Sequence, residues 1–388
     1  MKRINSIDFT RGLVMVIMAL DHVRYFMHFS SLSQDPENLH TTNTTLFLTR
    51  WITNLCAPTF VFLSGTSAFI SFRKNENITA SKKFLFTRGL WLLVLEFTII
   101  NFAIWYDTHF RMLILEVIFP IAMGFIVLSF LLKWPSYIIG IAGTFFILFS
   151  HNIVRALSSF ENPITVFISS VLFHPNVFSV TPNFTFVVGY PLVPWLGILL
   201  IGFACGPLFE LLQEKRKRIF LQIGITALLL FCLIRFMNLY GDPSKWLTQR
   251  TIIFTLLSFI NVTKYPPSFL FCLLNLGILF ILLFIAESIN NRFVNVFCVY
   301  GKTPLFYFIV HLYLIHSLMF LMLYLQGYSL NDLHFGAFSS GRPKTGSGVG
   351  LRMIYLIWLC VIAFLYPLCK WYGNYKATHK SNQLLRYL

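Results

Sequence analysis

The sequence predicts an all-α, polytopic integral membrane protein, a single transmembrane domain over residues 1–388, and three observations carry that class. Of the 388 residues, 57% are hydrophobic and only 11% charged, with a mean hydropathy of +0.72; soluble globular domains carry roughly 25% charged residues. The apolar residues come in runs of about 20, the length needed to cross a hydrocarbon core of ~30 Å. Basic residues gather at the ends of those runs, as they do beside membrane helices. A soluble enzyme, a disordered tail and a disulfide scaffold are excluded.

About ten spans follow in order, each bounded by turn or charge signals. The first, 10–30, stops before Asp35-Pro36, and the second, 52–72, stops at Arg73-Lys74-Asn75. The third covers 85–106; the fourth, 111–132, is closed by Lys133-Trp134-Pro135, and the fifth covers 135–151. The sixth, 189–211, and the seventh, 219–239, are separated by the charged run Glu214 to Arg218. The eighth, 268–287, begins after Tyr265-Pro266-Pro267. The ninth covers 303–326, and the tenth, 350–370, begins after the Gly/Ser-rich stretch Ser339 to Gly350. Segments 165–174 and 251–260 are apolar but short, which predicts re-entrant or interfacial pieces. Internal repeats are not evident.

Orientation follows from the basic residues. With the N-terminus inside, Lys2, Arg3, Arg11, Arg73, Lys74, Lys82, Lys83, Arg88 and the run Lys215 to Arg218 all face the cytoplasm, as do Lys302, Lys380 and Arg386. Both termini are therefore expected to be cytoplasmic, with loops 31–51, 152–188, 240–267 and 327–349 outside. The net charge of +16 is accounted for by this flanking, and no RNA-binding motif accompanies it, so no nucleic-acid partner is expected. The seven cysteines form no CxxC pair and lie in or beside apolar runs, where they read as small buried hydrophobes. The first run lacks a small-residue cleavage site and holds Asp21, His22 and Arg24, so it is expected to stay as a helix rather than be removed as a signal peptide.

Ionisable groups inside a membrane cost about 2.5–3.5 kcal/mol each on insertion scales and mark functional candidates. The first span holds the densest set, Asp21-His22-Val23-Arg24. Asp21 and Arg24 are i,i+3 neighbours that can pair; the pair reads either as a neutralised ion pair at the helix end or as the setting for a general base, since His22 lies about 100° round the helix. Glu96 and Glu116 read as structural polar contacts or relay groups. His311, deep in the ninth span, is a site candidate and is not on one helix face with His316, while Arg235 is placed to snorkel at an outer helix end. Asn54 opens the second span. His40 lies on a polar outer loop that could hang over the Asp21–His22 cluster. P-loop, GxSxG and HExxH motifs are missing, and so is any metal-ligand spacing, so no metal is expected. Three classes stay open from the residues alone: a membrane transferase, a transporter, or a structural partner.

Several segments also resemble, in order, one known family. They are Ser6-Ile7-Asp8-Phe9-Thr10-Arg11-Gly12, Ala19-Leu20-Asp21-His22-Val23-Arg24, Thr49 to Pro58, Phe60 to Gly65, Arg88-Gly89-Leu90-Trp91 with Glu96, Tyr190 to Gly197, Asn261 to Ser268, and Gly301 to Tyr307 through His311 to His316. Together they resemble the heparan-alpha-glucosaminide N-acetyltransferase catalytic-domain family, in particular its bacterial branch, over nearly the whole chain. The resemblance implies a transmembrane acyltransferase fold. It implies an acyl donor, acetyl-CoA or another cytosolic acyl-CoA, and an extracytoplasmic glycan or glycolipid acceptor with a reactive amine or hydroxyl. The setting it implies is a multi-pass protein of the cell membrane, in bacteria the inner membrane, and a homo-oligomer is compatible with it.

The family's catalytic Asn and luminal-loop His are carried over by register. The Asn position falls on His22 or Asp21, and the nearest histidine to the loop position is His40. His311 falls on a late-helix histidine of the family pattern. Asn54 stands where bacterial relatives commonly show His. Acyl transfer needs a base and a group for the developing oxyanion: His22 or His40 would serve as the base, Arg24 or Arg50 as the positive charge. Lys302, Arg73 and Lys74 are the candidates for the CoA phosphates. The main alternative is an exporter of a small anionic or sugar-linked solute, using the same charges as a relay.

Overall fold

The computed structural model describes residues 4–75, 77–157, 162–289, 291–336, 338–343, 346–379, 382 and 385; Lys2, Arg3, Lys380 and Arg386 lie outside them. The chain opens with helix α1 (Asn5–Met27), then α2 (Thr44–Trp51), a 3-10 turn (Ile52–Leu55) and α3 (Cys56–Lys74). Helix α4 (Ile78–Leu95) runs through a π-turn (Glu96–Ile100) into α5 (Asn101–Trp105). Strand β1 (Met112–Leu115), α6 (Ile118–Leu131), α7 (Ser136–Leu157) and α8 (Pro163–Phe173) follow. The hairpin β2 (Asn176–Thr181) and β3 (Phe184–Val188) leads to α9 (Leu192–Ala204), a 3-10 turn (Gly206–Glu210) and α10 (Gln213–Met237). Then come α11 (Ile252–Ile260), α12 (Phe269–Ser288), α13 (Arg292–Gly301), α14 (Pro304–Leu325), the short strands β4 (Phe335–Gly336) and β5 (Ser339–Ser340), and α15 (Leu351–Thr378). Side-chain caps start many of these helices: Asn43, Asn77, Asn162, Thr251, Ser268 and Asn291 each accept a backbone N–H of the first turn, satisfying donors that the helix cannot.

Among the described residues, eight helices are long and apolar enough to cross a membrane. Two of the ten expected spans differ from these eight. Helix α1 is long enough at 23 residues, but Asp8, Arg11, Asp21 and Arg24 make it unlike an ordinary lipid-facing helix; instead it is buried along most of its length. In the fourth, residues 112–115 are a strand, and the helix behind it has 14 residues, about 21 Å at 1.5 Å per residue. The strand forms because β1 pairs in parallel with β3, from Met112 opposite Thr185 to Leu115 opposite Val188. Asn101 clamps it: its side chain accepts from Ile114 N (2.7 Å) and donates to Ile114 O (2.9 Å). The short segments expected to be re-entrant or interfacial are the short helices α8 and α11.

Arg235 departs from expectation. It does not snorkel but is 2% exposed. Its guanidinium donates to the carbonyls of Ser244 (2.6 Å), Asn261 (2.7 Å), Phe259 (2.9 Å) and Ser258 (3.0 Å). The loop after α10 folds back over the side chain and supplies acceptors that water would otherwise provide.

The core is centred on α1, which packs against α3, α12, α13, α14 and α15. Its contact with α13 is backbone on backbone: a Cβ at Gly12 would lie 1.8 Å from Phe297 O, and one at Gly301 1.8 Å from Asp8 O. Small residues let membrane helices approach this closely. We expect Gly301→Val to yield no monodisperse protein in detergent by size exclusion; a sharp wild-type-like peak would mean that the two helices can separate at little cost.

Candidate active site

The last two turns of α1 carry the site. Asp21 lies between two guanidiniums, with Arg24 Nη2 2.8 Å from one carboxylate oxygen and Arg50 Nη1 3.0 Å from the other. Arg50 comes from α2, donates also to Thr53 Oγ1 (2.9 Å) and has its Nε 3.8 Å from Glu37. Asn54, in the turn behind α2, donates to the other oxygen of Glu37 (2.7 Å). Arg24 and Arg50 are thus held by Asp21, Arg50 is held also by Glu37, and the helix end is tied to the loop that follows.

His22 points the other way round the helix, to α14. Its Nδ1 is 2.7 Å from His311 Nε2. The rings are near-parallel at 16° with centroids 4.9 Å apart, as an end-to-end in-plane bond requires. His311 Nδ1 is 3.0 Å from Tyr307 O. A carbonyl only accepts, so His311 Nδ1 carries hydrogen, and in a neutral His311 the Nε2 lone pair accepts from His22 Nδ1–H. His22 Nε2 is then left with its lone pair, the arrangement a general base needs. The second histidine of the ninth span is elsewhere: His316 bonds the carbonyls of Ala103 and Ser340.

His22, Asp21, Arg24 and Arg50 line a cavity of about 630 Å³, together with Glu116, Tyr190, Lys264 and Tyr265. The π-turn contributes Glu96, whose carboxylate accepts from Glu116 N and sets the start of α6; π-turns recur at functional sites. A second cavity, of about 230 Å³, lies toward the start of α1 and is lined by Arg11, Ser67 and Arg88. Arg11 donates to Ser67 Oγ (2.8 Å), and Arg88 lies over the rings of Phe84 and Phe125. Phe60, Val117 and Phe308 line both cavities and form the partition between them. A third, of about 700 Å³, carries Lys74 and Lys83 and shares Ala68, Ser71, Phe84 and Leu85 with the second.

The fold therefore brings Asp21, His22, Arg24, Arg50 and His311 together, with Asn54 one link away through Glu37. It leaves His40 exposed on its loop, lining a further, outer cavity of about 400 Å³ that shares Asp35, Lys264 and Tyr265 with the cavity of His22. Lys74 lines the third cavity, Arg73 pairs with Glu210 at 2.9 Å on the surface, and Lys302 is exposed at the end of α13. Lys264, Tyr190 and Tyr265 were not expected as site residues. The available signal was their position in the segments Tyr190 to Gly197 and Asn261 to Ser268, which are polar or aromatic at the mouths of spans. Among the described residues no group of three or more His, Cys, Asp or Glu is arranged to hold a metal.

An imidazole beside fixed cations in one cavity, with a second cavity behind three shared apolar side chains, is an arrangement suited to acid–base chemistry on a bound group. No curated protein matches the chain. The family model described as heparan-alpha-glucosaminide N-acetyltransferase, catalytic, matches residues 3–235, more than half of the chain and the part that carries α1 with Asp21, His22 and Arg24. The protein is thus a multi-pass membrane member of the heparan-alpha-glucosaminide N-acetyltransferase catalytic family.

Proposed function

We propose that the protein moves an acetyl group from cytosolic acetyl-CoA to the amine or hydroxyl of an extracytoplasmic glycan or lipid-linked sugar. The observation that carries this reading is the position of His22, which has Nδ1 held by His311 and lines a cavity separated by three side chains from a second cavity toward the basic end of the bundle. The basic flanks support a cytoplasmic setting for that end. Lys74 and Lys83, which line the third cavity, are suited to the CoA phosphates as charge-assisted donors, with Arg73 and Lys302 as further candidates. The pantetheine arm would run past Arg11 and Arg88, leaving the thioester at Phe60, Val117 and Phe308. The acceptor enters from the opposite end, where His22 Nε2 takes its proton as it attacks the thioester carbonyl, and CoA leaves as the thiol. His311 keeps Nδ1 of His22 occupied as a donor, so that proton transfer happens at Nε2 only.

The test is acetyl-CoA turnover by the purified protein in detergent, following free CoA with and without amino sugars. Release that depends on an amino sugar is the expected result. Slow release without acceptor, with label left on the protein, would point to an acyl-histidine intermediate. The absence of both release and CoA binding would overturn the reading, and solute counterflow in proteoliposomes without acyl donor would favour an exporter.

A further inference from the structure

Lys264 is the least expected residue of the chamber. It is 7% exposed, and it lines both the cavity of His22 and the outer cavity of about 400 Å³. Among the described residues no carboxylate lies within ion-pair distance of it; its ammonium lies 5.1 Å from the centre of the Tyr265 ring. Burying an ammonium costs several kcal/mol; the carboxylates of Asp21 and Glu116, which line the same cavity, offset part of that through space, and the fold holds Lys264 at the cavity edge.

It does so with two further charges. Arg235 binds the carbonyls of Ser258, Phe259 and Asn261 on one side of Lys264. Asp242 accepts from Thr263 N (2.8 Å) and Thr263 Oγ1 (2.9 Å) just before Lys264 and from Ser268 Oγ (2.6 Å) after it. Trp51 Nε1 donates to Ile260 O (3.0 Å), and the hydroxyls of Tyr265 and Tyr190 are 3.2 Å apart. The segment that presents Lys264 is therefore pinned at both ends, which is how a site preorganises a charge against a developing one. The other two cations lining the chamber, Arg24 and Arg50, are both taken by Asp21.

We infer that Lys264 is a catalytic residue whose ammonium binds the oxyanion of the tetrahedral species in acyl transfer. This rests on the acetyltransferase reading above. The acceptor nitrogen or oxygen forms a bond to the thioester carbon, and the carbonyl π pair moves onto oxygen, which becomes O⁻ beside Lys264. The acceptor proton goes to His22 Nε2. When the species collapses, the pair returns to C=O, the C–S bond breaks, and the CoA sulfur takes the proton from His22. Arg24 and Arg50 keep Asp21 as their counter-ion throughout.

The experiment compares Lys264→Met, Lys264→Arg and the wild type in purified form, by acetyl-CoA turnover, CoA binding and thermal unfolding. Lys264→Met is expected to lower kcat by about 10²–10³-fold, the usual effect of losing one oxyanion donor. KM for acetyl-CoA and CoA binding should change by no more than about threefold, because the interaction exists only in the transition state. Lys264→Arg should recover part of the loss. If Lys264→Met does not fold, Lys264→Gln carries the same test, with activity in the order wild type, Arg, Gln. Turnover by the neutral variants within about threefold of wild type would overturn the inference while leaving the acetyltransferase reading intact. Loss of CoA binding alongside kcat would make Lys264 a donor-binding residue and overturn it too. A wild type that turns over no acetyl-CoA sinks the reading and the inference together.

Discussion

His22→Ala loses acetyl transfer, with kcat down by about 10²–10⁴-fold, the range for removing a general base, while the protein still binds CoA. The variant leaves His311 Nε2 without its partner, so a stability loss of about 1–3 kcal/mol accompanies it. His311→Ala is expected to fall less far in kcat, because the base survives but loses the bond that fixes its tautomer. The double variant should be no worse than His22→Ala, since groups that act as a unit are not additive. The measurement is CoA release at saturating donor together with unfolding temperature. Wild-type turnover by His22→Ala would place the base elsewhere and leave the histidine pair a packing feature.

Asp21→Ala strips the shared carboxylate from Arg24 and Arg50, both nearly buried. Removing one partner of a buried charge set costs about 3–5 kcal/mol, so a large drop in unfolding temperature is expected, with loss of activity as the end of α1 and the Arg50–Glu37–Asn54 chain lose their anchor. Adding Arg24→Ala to Asp21→Ala should return part of the stability, because one uncompensated charge goes with it. A double variant less stable than the single one would show that Arg24 contributes by packing rather than by its pair.

Much of the fold was legible because a membrane is a strict solvent. Runs of about 20 apolar residues have one stable form there, a helix whose backbone bonds close on themselves. Helices lie within each of the ten expected spans. Strand β1 was not legible: Met112 to Leu115 is as apolar as the helix after it, and only pairing with β3, about 70 residues on in the chain, made it a strand. Arg235 was misjudged for a similar reason, since its four acceptors come from residues 244–261, which fold back over it. In the site, Asp21 with Arg24 was legible because i,i+3 residues share a helix face.

By itself, then, the sequence determined the solvent of this protein, its helical class and the cluster at the end of α1, since each depends on residues close in the chain. Only the tertiary structure decided which histidine meets His22, which cations stay committed to Asp21, and that Lys264 stands in the same chamber. His22 and His311 are 289 residues apart, and Lys264 sits on a loop pinned by Arg235 and Asp242. No local pattern encodes such a meeting, because it is set by how the helices pack and not by the period of any one of them.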